Sequence, residues 1–277
     1  MSKRRDVGRW RDTRDFCRLF ARIPDPIVSE VTKNTQEDES IAWLVLGTAI
    51  QQWTSMPGVV DVLRLLRRRY PQGECFLLPT PAHKSMIEAI HQQGWTRDWP
   101  LVEHVPGIAA SIGHWMRRYP DGLMPALIRM DTAQLWRELS CIYYMGKNSI
   151  TRPKAIYAIH RMRARSPLGL GIPIRETPMR PRPSWPFPVT SGARRWFKSF
   201  GTGADLETMS EIQKFSFFQK LYGAINPGDP ELIAHGLSFF LESSGSEKCC
   251  RLQLGGCSHC PLGTSVNGEH TCPGSML

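Results

Sequence analysis

The sequence contains no long apolar segment. No stretch of its 277 residues offers the run of about 18 uncharged apolar residues that a membrane-spanning helix needs. The first residues, MSKRRDVGRWRDTRDF, are charged and lack the apolar stretch of a secretory signal. We therefore expect no membrane span and a cytoplasmic location. In a reducing cytosol, clustered cysteines are more often metal ligands or reactive thiols than disulfides.

Strand-like alternation of apolar and polar residues is also missing, as is any internal repeat. Hydrophobic residues make up 41% of the chain and charged residues 22%, which is ordinary for a globular protein and argues against overall disorder. The apolar residues recur at helical spacing instead, and Asp131 with Thr132 is a candidate N-cap. We predict an all-α fold with helices at Ile41–Trp53, Val59–Tyr70, Ala82–Gln92, Ile108–Tyr119, Leu123–Met130 and Thr132–Tyr143.

Positive charge dominates, with 35 lysines and arginines against 25 acidic residues and a net charge of +10. Arginine is frequent in the first residues and again at 67–69. Cationic surfaces neutralise phosphates and release condensed counterions, and arginine binds phosphate oxygens in pairs. The charge therefore favours a nucleic-acid partner. The alternatives are a solvated basic face and an anionic membrane surface.

The segment Ser166–Pro188 is rich in proline, which removes backbone donors and excludes helix. It carries Arg175, Arg180 and Arg182 beside Trp185. We expect either an ordered insertion or a flexible loop, and either a DNA contact or a solvated linker.

Five of the eight cysteines lie between Cys249 and Cys272. Six residues separate Cys250 from Cys257, two separate Cys257 from Cys260, and eleven separate Cys260 from Cys272. Zinc ribbons usually have two close pairs, and only one is present. The spacing favours a 4Fe-4S cluster and leaves zinc as the alternative. Cys249 can take the place of Cys250.

This cysteine pattern resembles the C-terminal 4Fe-4S loop of the endonuclease III branch of the helix-hairpin-helix DNA glycosylases, apart from an insertion, SVNGEH, before the last cysteine. The preceding segment Asp229–Phe240, with His235 and Gly236, is similar to the helix that leads into the cluster in that family. The resemblance implies a structural cluster on Cys250, Cys257, Cys260 and Cys272, and it implies that Arg251 lies near DNA phosphates.

Two further segments resemble the DNA-contacting parts of the family. Leu44–Ser55 is similar to the helix and turn that carry a glutamine wedge, so Gln51 or Gln52 would fill the gap left by a flipped base. Cys141–Ala155 is similar to the hairpin itself, with Tyr144 at the position of its first glycine and Gly146 at the second. The resemblance implies that this turn, through Gly146, Lys147 and Ser149, holds a DNA phosphate.

Asn148 stands where bifunctional members of the family carry the lysine that forms a Schiff base. Without an amine at that position, imine formation and strand cleavage lose their nucleophile. The resemblance therefore implies a monofunctional enzyme that uses water.

Phe187–Gly201 is similar to the segment that carries the essential aspartate of the family, and it retains Arg194 and Arg195 as candidate DNA contacts. Thr190 occupies the aspartate position. Loss of such an electrostatic stabiliser typically costs about 10²–10³ in rate. Either Thr190 or Ser191 orients the water while Asp205 or Glu176 supplies the charge, or the chain no longer cleaves.

We therefore expect two helical lobes on either side of a DNA-binding cleft. Residues 36–165 would form a six-helix lobe with the hairpin, residues 166–188 the insertion, and residues 1–35 and 189–277 the cluster lobe. The expected function is excision of a damaged, mismatched or modified base, such as those of bacteriophage DNA, by a monomer that binds double-stranded DNA and lies on the nucleoid in a prokaryote. The alternative is a non-catalytic DNA-binding or base-sensing protein. Candidates for stacking on the base are Tyr143, Tyr144, Trp53 and Trp185, with core packing as the other role.

Overall fold

The computed structural model describes residues 10–11, 13–18, 24–33, 35–51, 56–78, 82–146, 151–177, 186–199 and 206–237. The regular elements within these ranges are all helices, and the described residues form no β-strand. Their β-type pairing is limited to one isolated bridge between Asp131 and Arg175. The all-α prediction is therefore confirmed for the described part of the chain. The α-helices are α1 Pro26–Val31, α2 Glu37–Ile50, α3 Met56–Arg69, α4 His83–His91, α5 Val105–Met116, α6 Leu123–Arg129, α7 Thr132–Leu139, α8 Pro153–Arg163, α9 Ser191–Ser199, α10 Glu211–Ile225 and α11 Pro230–Leu237.

The described residues fall into two compact units, one within residues 24–186 and one within residues 1–23 and 187–277. We predicted residues 24–33 to belong to the cluster lobe, and this boundary is wrong. They pack in the first unit, because α1 contacts both α2 and α3 there. The apolar side chains of α1, including Ile27 and Val31, are buried in that contact.

Helix α2 is the centre of the first unit. Every residue from Ser40 to Ile50 is buried, as expected of a helix that is apolar on all sides. It contacts α1, α3, α5, α6 and α8. At Gly47 an added Cβ would lie 2.8 Å from Leu63 Cδ1 and 2.9 Å from Ile27 Cγ2, so the glycine permits the close approach of α1 and α3.

The first half of the proline-rich segment packs along the first unit. Leu170 and Ile172 donate backbone N–H groups to the carbonyls of Arg161 and Met162 in α8, and Ile172 and Ile174 are buried. At the start of α7, the Thr132 N–H donates to the Arg175 carbonyl, and the Thr177 N–H donates to the Thr132 hydroxyl. Residues 166–177 are thus an ordered, non-helical insertion. Arg180, Arg182 and Trp185 lie outside the described residues.

The second unit joins the N-terminal helical residues 10–11 and 13–18 to α9, α10 and α11. Trp196 is fully buried beside Phe16 and donates from Nε1 to Thr13 Oγ1 at 2.9 Å. An added Cβ at Gly236 would lie 2.5 Å from Cys17 Cα, so only glycine admits this crossing. The His-Gly pair of the sequence therefore lies where α11 meets the N-terminal helical residues.

No helix in the described ranges is both long enough and apolar enough to cross a membrane.

Candidate nucleic-acid interface

Residues 141–146, which follow α7, begin the segment that the resemblance predicts to be the hairpin. Helix α7 ends at Leu139, four residues earlier than expected, because residues 140–146 form successive turns. The Asp131 N-cap is confirmed, since its carboxylate accepts the Gln134 N–H at 2.8 Å. At the two positions that the resemblance assigns to glycine, φ is +65° for Tyr144 and +95° for Gly146. Both residues therefore have the left-handed backbone conformation that glycine adopts without steric cost.

Glu138 fixes the first helix of this hairpin to α5. Its carboxylate accepts from Trp115 Nε1 at 3.0 Å, from Arg118 at 3.3 Å and from the Tyr119 hydroxyl. Burial and the neighbouring Glu138 carboxylate raise the pKa of Tyr119 to about 12. Three donors on one partly buried carboxylate hold the start of the turn in one position.

Three aromatic side chains form a cluster beside the turn, and we call His104, Tyr143 and Tyr144 the aromatic platform. The ring centroids of Tyr144 lie 4.8 Å from both His104, at an interplanar angle of 35°, and Tyr143, at 87°. The Tyr143 hydroxyl lies 3.3 Å from His104 Nδ1, and its backbone N–H donates to Ser111 Oγ at 3.1 Å. The Tyr143 side chain is 47% exposed. Of the stacking candidates, Tyr143 is exposed and Tyr144 is partly buried, while Trp53 and Trp185 lie outside the described residues.

Lys154, in the first turn of α8, is a feature that sequence reasoning missed. Its Nζ donates to the Ala49 carbonyl at 2.5 Å, near the C-terminus of α2, and lies 5.6 Å from the Tyr144 ring centroid. Burial disfavours the charged amine and lowers the pKa of Lys154 to about 8. The pair Ala49–Lys154 is far apart in sequence, so no local pattern could have indicated it.

Gln51, one of the two wedge candidates, is held by a buried arginine. Arg161 donates from Nη1 to Gln51 Oε1 and to Thr48 Oγ1, each at 3.0 Å, and from Nε to Asp25 at 3.0 Å. The guanidinium also stacks over the Tyr157 ring at 4.3 Å. The Gln51 side chain is therefore directed towards α8. Gln52 is outside the described residues.

Thr190 is the residue before α9 and acts as its cap. The Ala193 backbone N–H donates to Thr190 Oγ1 at 3.1 Å. The preceding segment is fixed by Gln219 of α10, which accepts from Phe187 N–H at 2.6 Å and donates to the Phe187 carbonyl at 2.7 Å. The position that the resemblance assigns to an aspartate is thus a hydroxyl at a helix N-terminus, where the backbone favours negative charge.

Two other candidate residues form ion pairs in the structure. Arg194 donates to Glu211 at 2.9 Å, and this bond holds the pKa of Glu211 below its usual range. Glu176, a candidate for the missing catalytic charge, accepts from Arg163 at 3.0 Å within the first unit. Each charge is partly neutralised by its partner.

The remaining candidates lie outside the described residues, or their side chains do. Among the residues that the structure describes, no group of three or more His, Cys, Asp or Glu residues is placed to hold a metal ion. The four cysteines that the resemblance assigns to the cluster lie outside the described residues. The candidates concerned are Gln52, Lys147, Asn148, Ser149, Asp205, Cys250, Arg251, Cys257, Cys260 and Cys272, with the side chains of Ser191 and Arg195.

No protein-family model, no curated protein and no solved structure matches the chain. The resemblance described above therefore rests on the residues of this chain alone.

Proposed function

We propose that this chain is a monofunctional helix-hairpin-helix DNA glycosylase, which rotates a damaged, mismatched or modified base out of double-stranded DNA and hydrolyses its N-glycosidic bond. The observation that carries the proposal is the left-handed backbone at Tyr144 and Gly146. In the family that the chain resembles, both positions are glycines, and this chain has the same backbone conformation at both although one of them is a tyrosine. In the proposal the turn holds a phosphate through backbone N–H groups, which fixes the register of the protein on DNA.

Thr190 is the proposed water-binding residue. Its hydroxyl oxygen accepts the Ala193 N–H, and its own O–H can donate to a water molecule or its second lone pair can accept from one. Gln219 holds the segment before it, so the hydroxyl has a fixed position. A hydroxyl orients water but supplies no negative charge, and the reaction is accordingly proposed to be slow by about 10²–10³ relative to a carboxylate.

A DNA-binding or base-sensing protein without excision is the second candidate. The capping bond between Thr190 and Ala193 favours it, because stabilisation of α9 by itself explains a threonine at this position. Both candidates require DNA binding, and they differ only in the chemical step.

Duplexes that each carry one deaminated, oxidised, alkylated, mismatched or bulky modified base test the proposal. After incubation with the full-length chain, heating in alkali should break at least one duplex at the altered base. The same duplex should stay intact before alkali and give no borohydride-trapped adduct, because Asn148 offers no amine. Binding without any alkali-dependent break selects the second candidate, and the absence of DNA binding contradicts both.

The proposal includes a 4Fe-4S cluster on Cys250, Cys257, Cys260 and Cys272, which would staple the C-terminal loop and bring Arg251 to phosphates. Four thiolates are a suitable donor set, and with all four positions on protein sulfur the cluster would leave no open site for substrate. Anaerobically purified protein should contain about four iron and four sulfide ions per chain. If the purified protein contains zinc and no iron, the four cysteines form a zinc site instead of a cluster.

A further inference from the structure

The aromatic platform lies at the hairpin turn, and the proposed phosphate contact uses backbone N–H groups rather than its rings. Tyr143 leaves 47% of its surface exposed, although its ring contacts α5 at Gly107, where an added Cβ would lie 3.5 Å from Tyr143 Cε1. Exposed tyrosine rings that pack on one side and are open on the other are suited to contact a second planar group.

The backbone of the platform has a conformation that bulky residues avoid. Among the described residues the two non-glycine positions with positive φ are Tyr144 and Arg152, and both belong to this hairpin. A glycine would serve the turn at position 144 without strain, so the turn does not explain the tyrosine. Strained conformations of this kind cluster at ligand-binding sites.

The rings are held in place by contacts within the protein. Tyr144 packs between Tyr143 and His104, and Tyr143 forms hydrogen bonds to Ser111 through its backbone and to His104 through its hydroxyl. The platform is thus formed before a ligand arrives, and binding would immobilise few additional side chains.

The charged residues near the platform are basic and favour an anionic ligand. Lys154 Nζ lies 5.6 Å from the Tyr144 ring centroid, and Arg152 stacks over Trp136 at 4.7 Å in the same hairpin. Aromatic faces beside cations suit a planar ring attached to an anionic backbone, because the ring stacks and the cations attract phosphate. Of the macromolecules that carry negative charge, nucleic acids present such rings.

We propose that Tyr143, held in place by Tyr144, is a stacking site for one unpaired nucleobase of the bound DNA, next to the phosphate held by the hairpin. This inference rests on the proposed DNA binding and adds a base contact to it. Stacking on an aromatic side chain is sequence-tolerant, so the site accepts any of the four bases.

Two duplexes test the inference. One is fully paired, and the other is identical except for a single unpaired 2-aminopurine. Binding of the full-length chain is followed by fluorescence anisotropy, and stacking by quenching of the 2-aminopurine. Tyr143→Ala should weaken binding of the unpaired duplex by about 5- to 150-fold and abolish the quenching. Its affinity for the paired duplex should stay unchanged, because that duplex offers no unpaired base to the ring.

Three further variants separate stacking from folding. Tyr143→Phe keeps the ring and should bind both duplexes as the wild type does, whereas Tyr143→Leu keeps an apolar contact with α5 and should behave like Tyr143→Ala. Ile128→Ala removes a side chain of similar exposure, 49%, in α6 and should change neither affinity. Thermal melting of each variant checks the fold.

The outcomes distinguish this inference from the proposed function. If the wild type binds DNA and Tyr143→Ala and Tyr143→Leu bind both duplexes unchanged, or lose both equally, the stacking site is wrong while DNA binding stands. If the wild type binds neither duplex, the proposed function is wrong and the stacking site falls with it.

Discussion

Arg161 of α8 donates from Nε to the Asp25 carboxylate at 3.0 Å, and the two side chains are only 3% and 4% exposed. Asp25 is also the N-cap of α1, where its other oxygen accepts from the Ile27 and Val28 N–H groups. One carboxylate thus caps a helix and neutralises a buried guanidinium. The same guanidinium holds Gln51 at the end of α2, so this pair connects three helices of the first unit.

Replacement of Arg161 by methionine should destabilise the protein by about 3–5 kcal/mol, because it leaves the Asp25 carboxylate buried without its partner. The control is Arg163→Met in the same helix, whose pair with Glu176 is 22% and 42% exposed. The control should lose less than about 1 kcal/mol. Urea denaturation measures both. Equal losses would mean that burial of the Arg161 pair does not determine its contribution.

Gly146→Ala should destabilise the hairpin by about 1–2 kcal/mol, since alanine at a φ of +95° places Cβ against its own backbone. DNA affinity should fall with it if the turn holds a phosphate. Gly223→Ala is the matched control, because Gly223 lies within α10 with nothing within 4 Å of an added Cβ. That change should stabilise by about 0.5–1 kcal/mol and leave DNA binding unchanged. Melting and gel-shift measurements that rank the two variants alike would contradict this account of the hairpin.

The lowered pKa of Lys154 makes the stability of the protein dependent on pH. Burial lowers the pKa in the folded state to about 8 from an ordinary value of 10.5. Between these two values the unfolded chain binds the proton that the folded chain has lost, so this residue makes stability rise with pH. Below pH 8 both states are protonated and the cost of burying the charge is fully present.

Lys154→Met should therefore lack this rise, and its stability relative to the wild type should fall from pH 8 to pH 10.5. Denaturation at several pH values, with Lys84→Met as the control, measures the difference, since the Lys84 side chain is 88% exposed. Parallel curves for the wild type and Lys154→Met would show that Lys154 titrates as an exposed lysine does.

Thr190→Asp should keep the fold and, if the chain is a glycosylase, raise the rate of base excision by about 10²–10³. Aspartate caps a helix as well as threonine does, and its charge is favoured at the N-terminus of α9. Thr190→Ala removes the cap and should cost about 0.5–2 kcal/mol of stability. Single-turnover excision assays and melting measure these effects. An unchanged rate in Thr190→Asp would show that a carboxylate at this position does not act in the reaction.

Glu211→Gln should strengthen the proposed DNA binding by releasing Arg194 and Lys214, which both pair with Glu211. The Arg194 and Glu211 side chains are about half exposed, 43% and 54%, so the loss of their pair should cost less than about 1 kcal/mol of stability. One additional phosphate contact should steepen the dependence of log K on log salt by about 0.9. Glu88→Gln, in a weak pair with Lys84 at 4.0 Å, is the control. The same salt dependence in both variants would exclude Arg194 from the interface.

Local signals predicted a large part of the fold. The periodic pattern Val59–Tyr70 corresponds to α3, and the patterns at Ala82–Gln92 and Ile108–Tyr119 correspond to α4 and α5. The Asp131 cap was visible because its partner is three residues away. Helix α6 shows the limit of such signals, because Asp38 of α2 caps it by accepting from Leu123 and Met124 N–H at 2.8 Å. Its own N-cap residue, Gly122, has no side chain to do so.

The sequence by itself determined the all-α class and the approximate helix positions, because apolar periodicity and caps act within a few positions along the chain. Only the tertiary structure decided that Arg161 holds Gln51, that Lys154 is buried against the end of α2, and that Tyr144 stacks on His104. These contacts join residues 40 to 110 positions apart, and they exist only because particular helices pack together. Packing of whole helices, unlike their formation, depends on the entire core at once.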